Sequence, residues 1–147
     1  MPRSFQRGGS PVDAFVTCFD AQVFAVSACR RAFVSWMRCA DVDSGAVDDL
    51  EVVFSELAAN AVAASPSTSD DVRVRARLDD GVLVLEVSNR TEPDDHPPVS
   101  FPDLDDTLRQ QGRGLLIARA FVDSVRMETQ LPDRFMVRCC RRLAPAG

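Results

Sequence analysis

The chain has 147 residues, 46% hydrophobic and 27% charged, with a formal net charge of −5 at pH 7, enough for one domain with a buried core. All 17 basic residues are Arg and His96 is the only histidine; a P-loop lysine, a Schiff-base lysine and any Ser-His-Asp hydrolase not built on His96 are therefore excluded. The acidic balance argues against a nucleic-acid-binding module, because phosphate neutralisation needs a clustered positive field.

Five Cys without C-x-x-C spacing indicate neither a disulfide framework nor a zinc site. Cys18, Cys29 and Cys39 read as small hydrophobes in a reducing compartment, and Cys139–Cys140 as part of a strand. Residues 1–12 lack the apolar core of a signal peptide, and no apolar run reaches membrane-spanning length. The expectation is a cytoplasmic protein without a membrane partner or direct nucleic-acid contacts.

Residues 1–12, MPRSFQRGGSPV, read as a flexible lead-in, 13–142 as a single domain and 143–147 as a tail. Ala14 to Phe19 suits a short strand, and Asp20 a cap for a helix from Ala21 to Met37. Val23, Val26, Ala28, Phe33, Val34 and Met37 are its apolar positions, with Arg30 and Arg31 toward solvent. Asp41 to Gly45 breaks the pattern.

Ala46 to Ser65, AVDDLEVVFSELAANAVAAS, is an amphipathic helix with Leu50, Val53, Phe54, Leu57 and Ala61 as its core stripe. Glu56 and Asn60 lie one turn apart beside that stripe, flanked by Val52, Ala59 and Ala63. No Arg stands three or four positions from Glu56 to neutralise it. A carboxylate and a carboxamide in apolar surroundings cost free energy unless a ligand or metal uses them. A solvated pair at the edge of the stripe accounts for the pattern equally well.

Val72 to Leu78 alternates apolar residues with Arg, as a strand with one buried and one wet face does. Asp79-Asp80-Gly81 is a hairpin turn, and Val82 to Asn89 the return strand, with Leu83, Leu85, Val87 and Asn89 on one face. Asn89 there is either a turn residue or a polar group ending an apolar row.

Thr91 to Gln111 holds Pro93, Pro97, Pro98 and Pro102 among acidic residues, and a stretch so long in a compact domain is functional or disordered. Gly112-Arg113-Gly114 then opens a helix from Leu115 to Ser124. Glycines at a helix start let backbone N–H groups approach an anion. Strands at about Val125–Thr129 and Arg134–Arg141 flank a turn at Leu131-Pro132-Asp133.

In this order, Glu56-x-x-x-Asn60 on a helix, Asn89 ending a strand and Gly112-x-Gly114 opening a helix resemble the GHKL ATPase superfamily, which includes histidine kinases and gyrase. More closely, the chain resembles the small bacterial anti-sigma-factor serine/threonine kinases. SELAANAV (Ser55–Val62) is similar to their N-box, and GRGLLIARAFVDSV (Gly112–Val125) to their second glycine box and following helix. The resemblance spans about Phe15 to Cys140.

It implies an α/β two-layer fold with helices on one face of a mixed, largely antiparallel sheet. It also implies ATP and Mg²⁺ as cofactors, a sigma factor as the sequestered partner and an anti-sigma-factor antagonist as the phosphorylation substrate; a homodimer is compatible with it. Asn60 takes the place of the Asn that ligates Mg²⁺ on the nucleotide phosphates, and Glu56 that of the acidic residue orienting or deprotonating the attacking hydroxyl. Gly112, Arg113 and Gly114, with Leu115 behind them, take the place of the phosphate-wrapping segment, and Thr91 to Gln111 that of a lid. The first glycine box departs from the pattern. Where the superfamily has Asp-x-Gly-x-Gly, this chain has Asn89-Arg90-Thr91-Glu92-Pro93. Asn89 would accept from adenine through its carboxamide, a weaker acceptor than a carboxylate. A second reading therefore stands beside the kinase: a catalytically weak or inactive regulator of this fold acting by protein binding alone. A redox-responsive binder built on the Cys lacks any paired spacing.

Overall fold

Alternating patterns and two long apolar stripes give five strands and three helices over residues 14–92 and 113–144, the part of the chain that the computed structural model describes. In chain order these are β1 (Ala14–Asp20), α1 (Val23–Cys39), α2 (Ser44–Ala64), β2 (Asp71–Asp79), β3 (Val82–Arg90), α3 (Arg113–Ala120), β4 (Ser124–Gln130) and β5 (Arg134–Arg142). The strands form one sheet in the order β1-β2-β3-β5-β4. The expected two-layer α/β architecture is present. The sheet, expected to be mixed and largely antiparallel, is antiparallel at each pairing among the described residues.

The β2–β3 hairpin follows from Asp80 (φ 52°) and Gly81 (φ 78°), both left-handed, the geometry whose twist suits a two-residue hairpin. That turn fixes the register, so Val72, Val74 and Ala76 on β2 and Leu83, Leu85 and Val87 on β3 all face the helices and are buried. Arg73, Arg75 and Arg77 take the opposite, exposed face.

Over the inner face pack α1 and α2. Leu50, Val53, Phe54, Leu57 and Ala61 are all buried as the stripe predicted. Phe54 stacks on Phe33 of α1 at 5.2 Å between ring centroids. Burying such a side chain contributes about 1.5–3 kcal/mol, so this pair anchors α2, the element carrying Glu56 and Asn60. Asp43 caps α2, its carboxylate accepting from the Gly45 and Ala46 N–H groups at 3.1 and 3.3 Å.

Several boundaries differ from expectation. Asp20 does not cap α1: it pairs with Asp71 as the last residue of β1, and the Ala21 N–H donates to the Asp70 carbonyl at 2.9 Å. The sheet thus holds the chain two residues longer, and Gln22 enters the helix without a side-chain cap. Val23 is exposed at 79% and Ala28 is also exposed, while Cys29 takes a core position. At the other end α3 stops at Ala120 instead of Ser124. The Asp123 N–H donates to the Cys140 carbonyl at 2.8 Å, drawing Ser124 into the ladder opposite Cys140.

Of the cysteines read as small hydrophobes, Cys18 and Cys39 are exposed. Cys29 and Cys139 are buried, and burial pushes both thiols up to about 12, leaving them protonated and inert at neutral pH.

Candidate functional site

Asn60 and Glu56 project from α2 toward the first turn of α3, and Gly114 is the residue that meets them. A Cβ on Gly114 would lie 2.9 Å from Asn60 Nδ2, 2.9 Å from Glu56 Oε2 and 3.2 Å from Asn60 Oδ1. Both side-chain ends therefore converge on a single point that only a glycine leaves open. Gly114 is itself buried.

Behind this point a narrow cleft runs between α2, α3 and the sheet. Leu57, Asn60, Ala61 and Ala64 of α2, Val87 and Asn89 of β3, Leu115 of α3, and Phe135 and Val137 of β5 line it. Its volume is about 10 Å³, room for about one water molecule, so an entering ring has to displace side chains. Seven lining groups are apolar and two are carboxamides, which suits a flat heterocycle with hydrogen-bonding edges.

The carboxamides differ in their bonding. Asn89 is 4% exposed and its Nδ2 donates to the Arg90 carbonyl at 2.9 Å, which directs the amide oxygen away from that bond as the acceptor. Asn60 Nδ2 is buried without a hydrogen-bond partner. Amide oxygen and nitrogen are interchangeable by a flip, and in either orientation a buried polar atom of Asn60 awaits a ligand group. As a donor it would meet a phosphate oxygen; as an acceptor it would meet a hard cation, which prefers oxygen ligands. Among the described residues no cluster of three or more His, Cys, Asp or Glu side chains forms a metal cage. The residues present fit a cation held largely by phosphate oxygens and water, with Asn60 as its protein ligand.

A network of charges secures the end of the sheet where Asn89 sits. Arg134 on β5 reaches across β3, its Nη2 donating to the Ser88 carbonyl and Oγ at 3.1 Å and its Nη1 to Asp71 Oδ1 at 3.2 Å. Arg90 adds contacts to Asp133 at 3.2 Å and Asp70 at 3.5 Å. Ser88, the residue before Asn89, is thereby fixed from the outer face. Burial alone would raise the Asp71 carboxyl, but hydrogen bonds and charge from Arg73 and Arg134 outweigh it together and hold the group below its ordinary value of 3.8. A depressed folded-state pKa contributes stability above the unfolded value and loses it as pH falls through the folded one. Thermal melts in acid, below the ordinary Asp range, should show a falling Tm for the native chain and a shallower fall for Asp71→Asn.

Glu56, Asn60, Asn89, Gly114 and Leu115 are thus gathered around one cleft. Gly112 and the side chain of Arg113 lie outside the described residues, as does the Thr91–Gln111 stretch beyond Thr91 and Glu92. Val52, Ala59 and Ala63, expected to give Glu56 apolar surroundings, are exposed instead, because α2 turns that face away from both the sheet and α1. The sequence pattern missed the cleft floor of Phe135 and Val137; a period-two reading of β5 places both on the inner face.

A Glu–Asn pair on α2 that meets a glycine at the mouth of a narrow cleft is an arrangement suited to a polar ligand group. The family model of the histidine kinase-like ATPase domain matches residues 19–140, and the chain belongs to that family. Among solved structures, the chain is similar to the RsbU and RsbW domains of Rv1364c from Mycobacterium tuberculosis, with a TM-score of 0.69 and 22% identity over 95% of this chain. The chain spans 35% of the length of that protein chain. The SiaB–SiaC complex from Pseudomonas aeruginosa is similar at a TM-score of 0.63 and 15% identity, over 84% of this chain and 88% of that one. At these identities the likeness is one of fold. No curated protein matches the chain significantly. Among the described residues, no helix is long and apolar enough to cross a membrane.

Proposed function

We propose that this chain is an ATP- and Mg²⁺-dependent serine/threonine protein kinase of anti-sigma-factor type, which sequesters a sigma factor and phosphorylates an anti-sigma-factor antagonist. The observation that carries this reading is the convergence of Glu56 and Asn60 on Gly114, with the Asn60 amide buried and unpartnered beside a cleft that ends at Asn89. That the RsbU–RsbW and SiaB–SiaC structures share the fold supports the class of protein and of partner.

The roles proposed here are those the family resemblance implies. Asn60 holds the cation, and Asn89 accepts from the base at the closed end of the cleft. Leu115, buried at 1% exposure, would help hold the base as part of the cleft lining, while the Gly112-Arg113-Gly114 motif would hold the phosphates. Mg²⁺ bound with ATP supplies charge neutralisation on the phosphates and aligns the terminal phosphoryl group. Glu56 orients the incoming hydroxyl and accepts its proton as the new oxygen–phosphorus bond forms and the bond to ADP breaks.

The binding-only regulator is favoured by one feature, the replacement of the first glycine box by Asn89-Arg90-Thr91-Glu92-Pro93. A titration with a fluorescent ATP analogue, with and without Mg²⁺, separates the two. The kinase reading requires Mg²⁺-dependent binding that Asn60→Ala weakens while circular dichroism stays unchanged. Equal affinity in that variant removes Asn60 from the site; absence of binding in the native chain favours the binding-only regulator.

A further inference from the structure

The stripe of α2 that carries the half-buried Glu56 is exposed and apolar on either side of it from Val52 to Ala63, with Asp48 and Asp49 in the turn before. At 100° per residue, Val52, Glu56, Ala59 and Ala63 fall within one narrow sector of the helix; Val52 is 38% exposed, and Ala59 and Ala63 are exposed. Helix α3 supplies the neighbouring wall. Gly114 lies against Glu56 and Asn60, while Arg141 ties the other end of α3 to α2, donating to Asp49 at 2.8 Å and to the Phe121 carbonyl at 2.7 Å. The helices therefore run antiparallel, and Ile117, one turn after Gly114, comes alongside the Val52–Glu56 turn.

Rotation about α3 separates its two exposed apolar residues. Leu115 and Ala118 point inward at 1% and 0% exposure, and Ile117 (37%) lies next to the Gly114 edge that meets α2. Leu116 (50%) points away on the far side of the helix. Val52 and Ile117 thus flank Glu56 as two apolar shoulders, continued by Ala59 and Ala63. Apolar groups exposed on both sides of a half-buried carboxylate suit a contact surface better than a solvated face.

We infer that this shelf is where the substrate protein docks: Val52 and Ile117 grip apolar residues flanking the phosphoacceptor hydroxyl and deliver it to Glu56. The inference rests on the kinase reading, and deepens it by naming the specificity-determining residues. Continuity with Glu56 selects this occupant. Val52 stands one turn before that carboxylate on the same exposed sector, and small residues at Ala59 and Ala63 let a partner backbone approach closely. An acidic or strongly charged acceptor segment is disfavoured, because it would bring like charge to Glu56 and desolvate its own charges against Val52 and Ile117.

The test uses the full chain, antagonist proteins of its own genome and radiolabelled ATP, with three variants: Val52→Asp, Ile117→Asp and Leu116→Asp. For each, the kcat/KM of transfer to the antagonist, the ATP affinity and the circular dichroism spectrum are measured. Val52→Asp and Ile117→Asp should each lose about 10-fold or more in kcat/KM for the antagonist, the scale of a truncated interface anchor, with ATP affinity unchanged. Leu116→Asp, at a more exposed position that faces away, should stay close to the native value. Native transfer by both Val52→Asp and Ile117→Asp overturns the shelf while leaving the kinase reading intact. Loss of ATP affinity in step with transfer assigns the stripe to the chain's own nucleotide site and overturns it too. A native chain that neither binds nor phosphorylates any antagonist overturns the kinase reading, and the shelf with it.

Discussion

Glu56→Gln should lower phosphate transfer by about 10²–10⁴-fold, the contribution of a positioned acid/base group, while leaving ATP affinity close to native. The substitution keeps the size of the side chain and part of its hydrogen bonding, and Glu56 is only half-buried on α2, so the helix should not notice it. What is lost is the charge that takes the hydroxyl proton. Separate measurement of ATP affinity and of transfer to an antagonist decides the matter. A variant that transfers at the native rate would leave Glu56 as a solvated neighbour of Asn60 and remove its catalytic role. A variant that loses ATP affinity in proportion would instead make Glu56 part of the cation or phosphate site.

Gly114→Ala should strike nucleotide binding and transfer together. The added Cβ would stand 2.9 Å from both Asn60 Nδ2 and Glu56 Oε2, closer than such atoms approach. Both contacts are the ends of side chains, so the fold can yield by swinging them aside, and the stability cost should stay within the roughly 1–3 kcal/mol typical of overpacking. The functional cost is larger, because the two groups that yield are those proposed to hold the cation and the hydroxyl. A 1 Å misplacement of a positioning group can cost on the order of 10²-fold in rate. Chemical denaturation and ATP titration on one preparation separate these effects. Near-native ATP affinity with only a lowered denaturation midpoint would show that Gly114 serves helix packing alone.

The α2 stripe, the Arg-alternating β2 strand and the Asp80-Gly81 turn were all legible, because each depends on local periodicity or on the left-handed backbone of a two-residue turn. Helix ends were less so. Asp20 carries a capping side chain, yet the β1–β2 ladder and the Ala21–Asp70 bond hold it in the sheet, since strand pairing with a distant segment outweighs a local cap. Ser124 left its expected helix for the same reason, captured by β5. Cys18 and Cys39 read as small hydrophobes by type and are exposed by position.

By itself, the sequence determined which chemistries are closed to this protein, since it has no Lys and one His. The pattern of Glu56, Asn60, Asn89 and the glycines carried the resemblance that implies phosphoryl transfer, and periodicity set each on its helix or strand end. Tertiary structure alone decided that Gly114 meets the Glu56–Asn60 pair, that Asn89 faces the same cleft from β3, and that Val52 and Ile117 stay exposed. Periodicity fixes the angle at which a side chain leaves its own helix or strand. Which face of which neighbour it then meets depends on how α2 and α3 pack over the sheet, and that is set by the burial of the whole core.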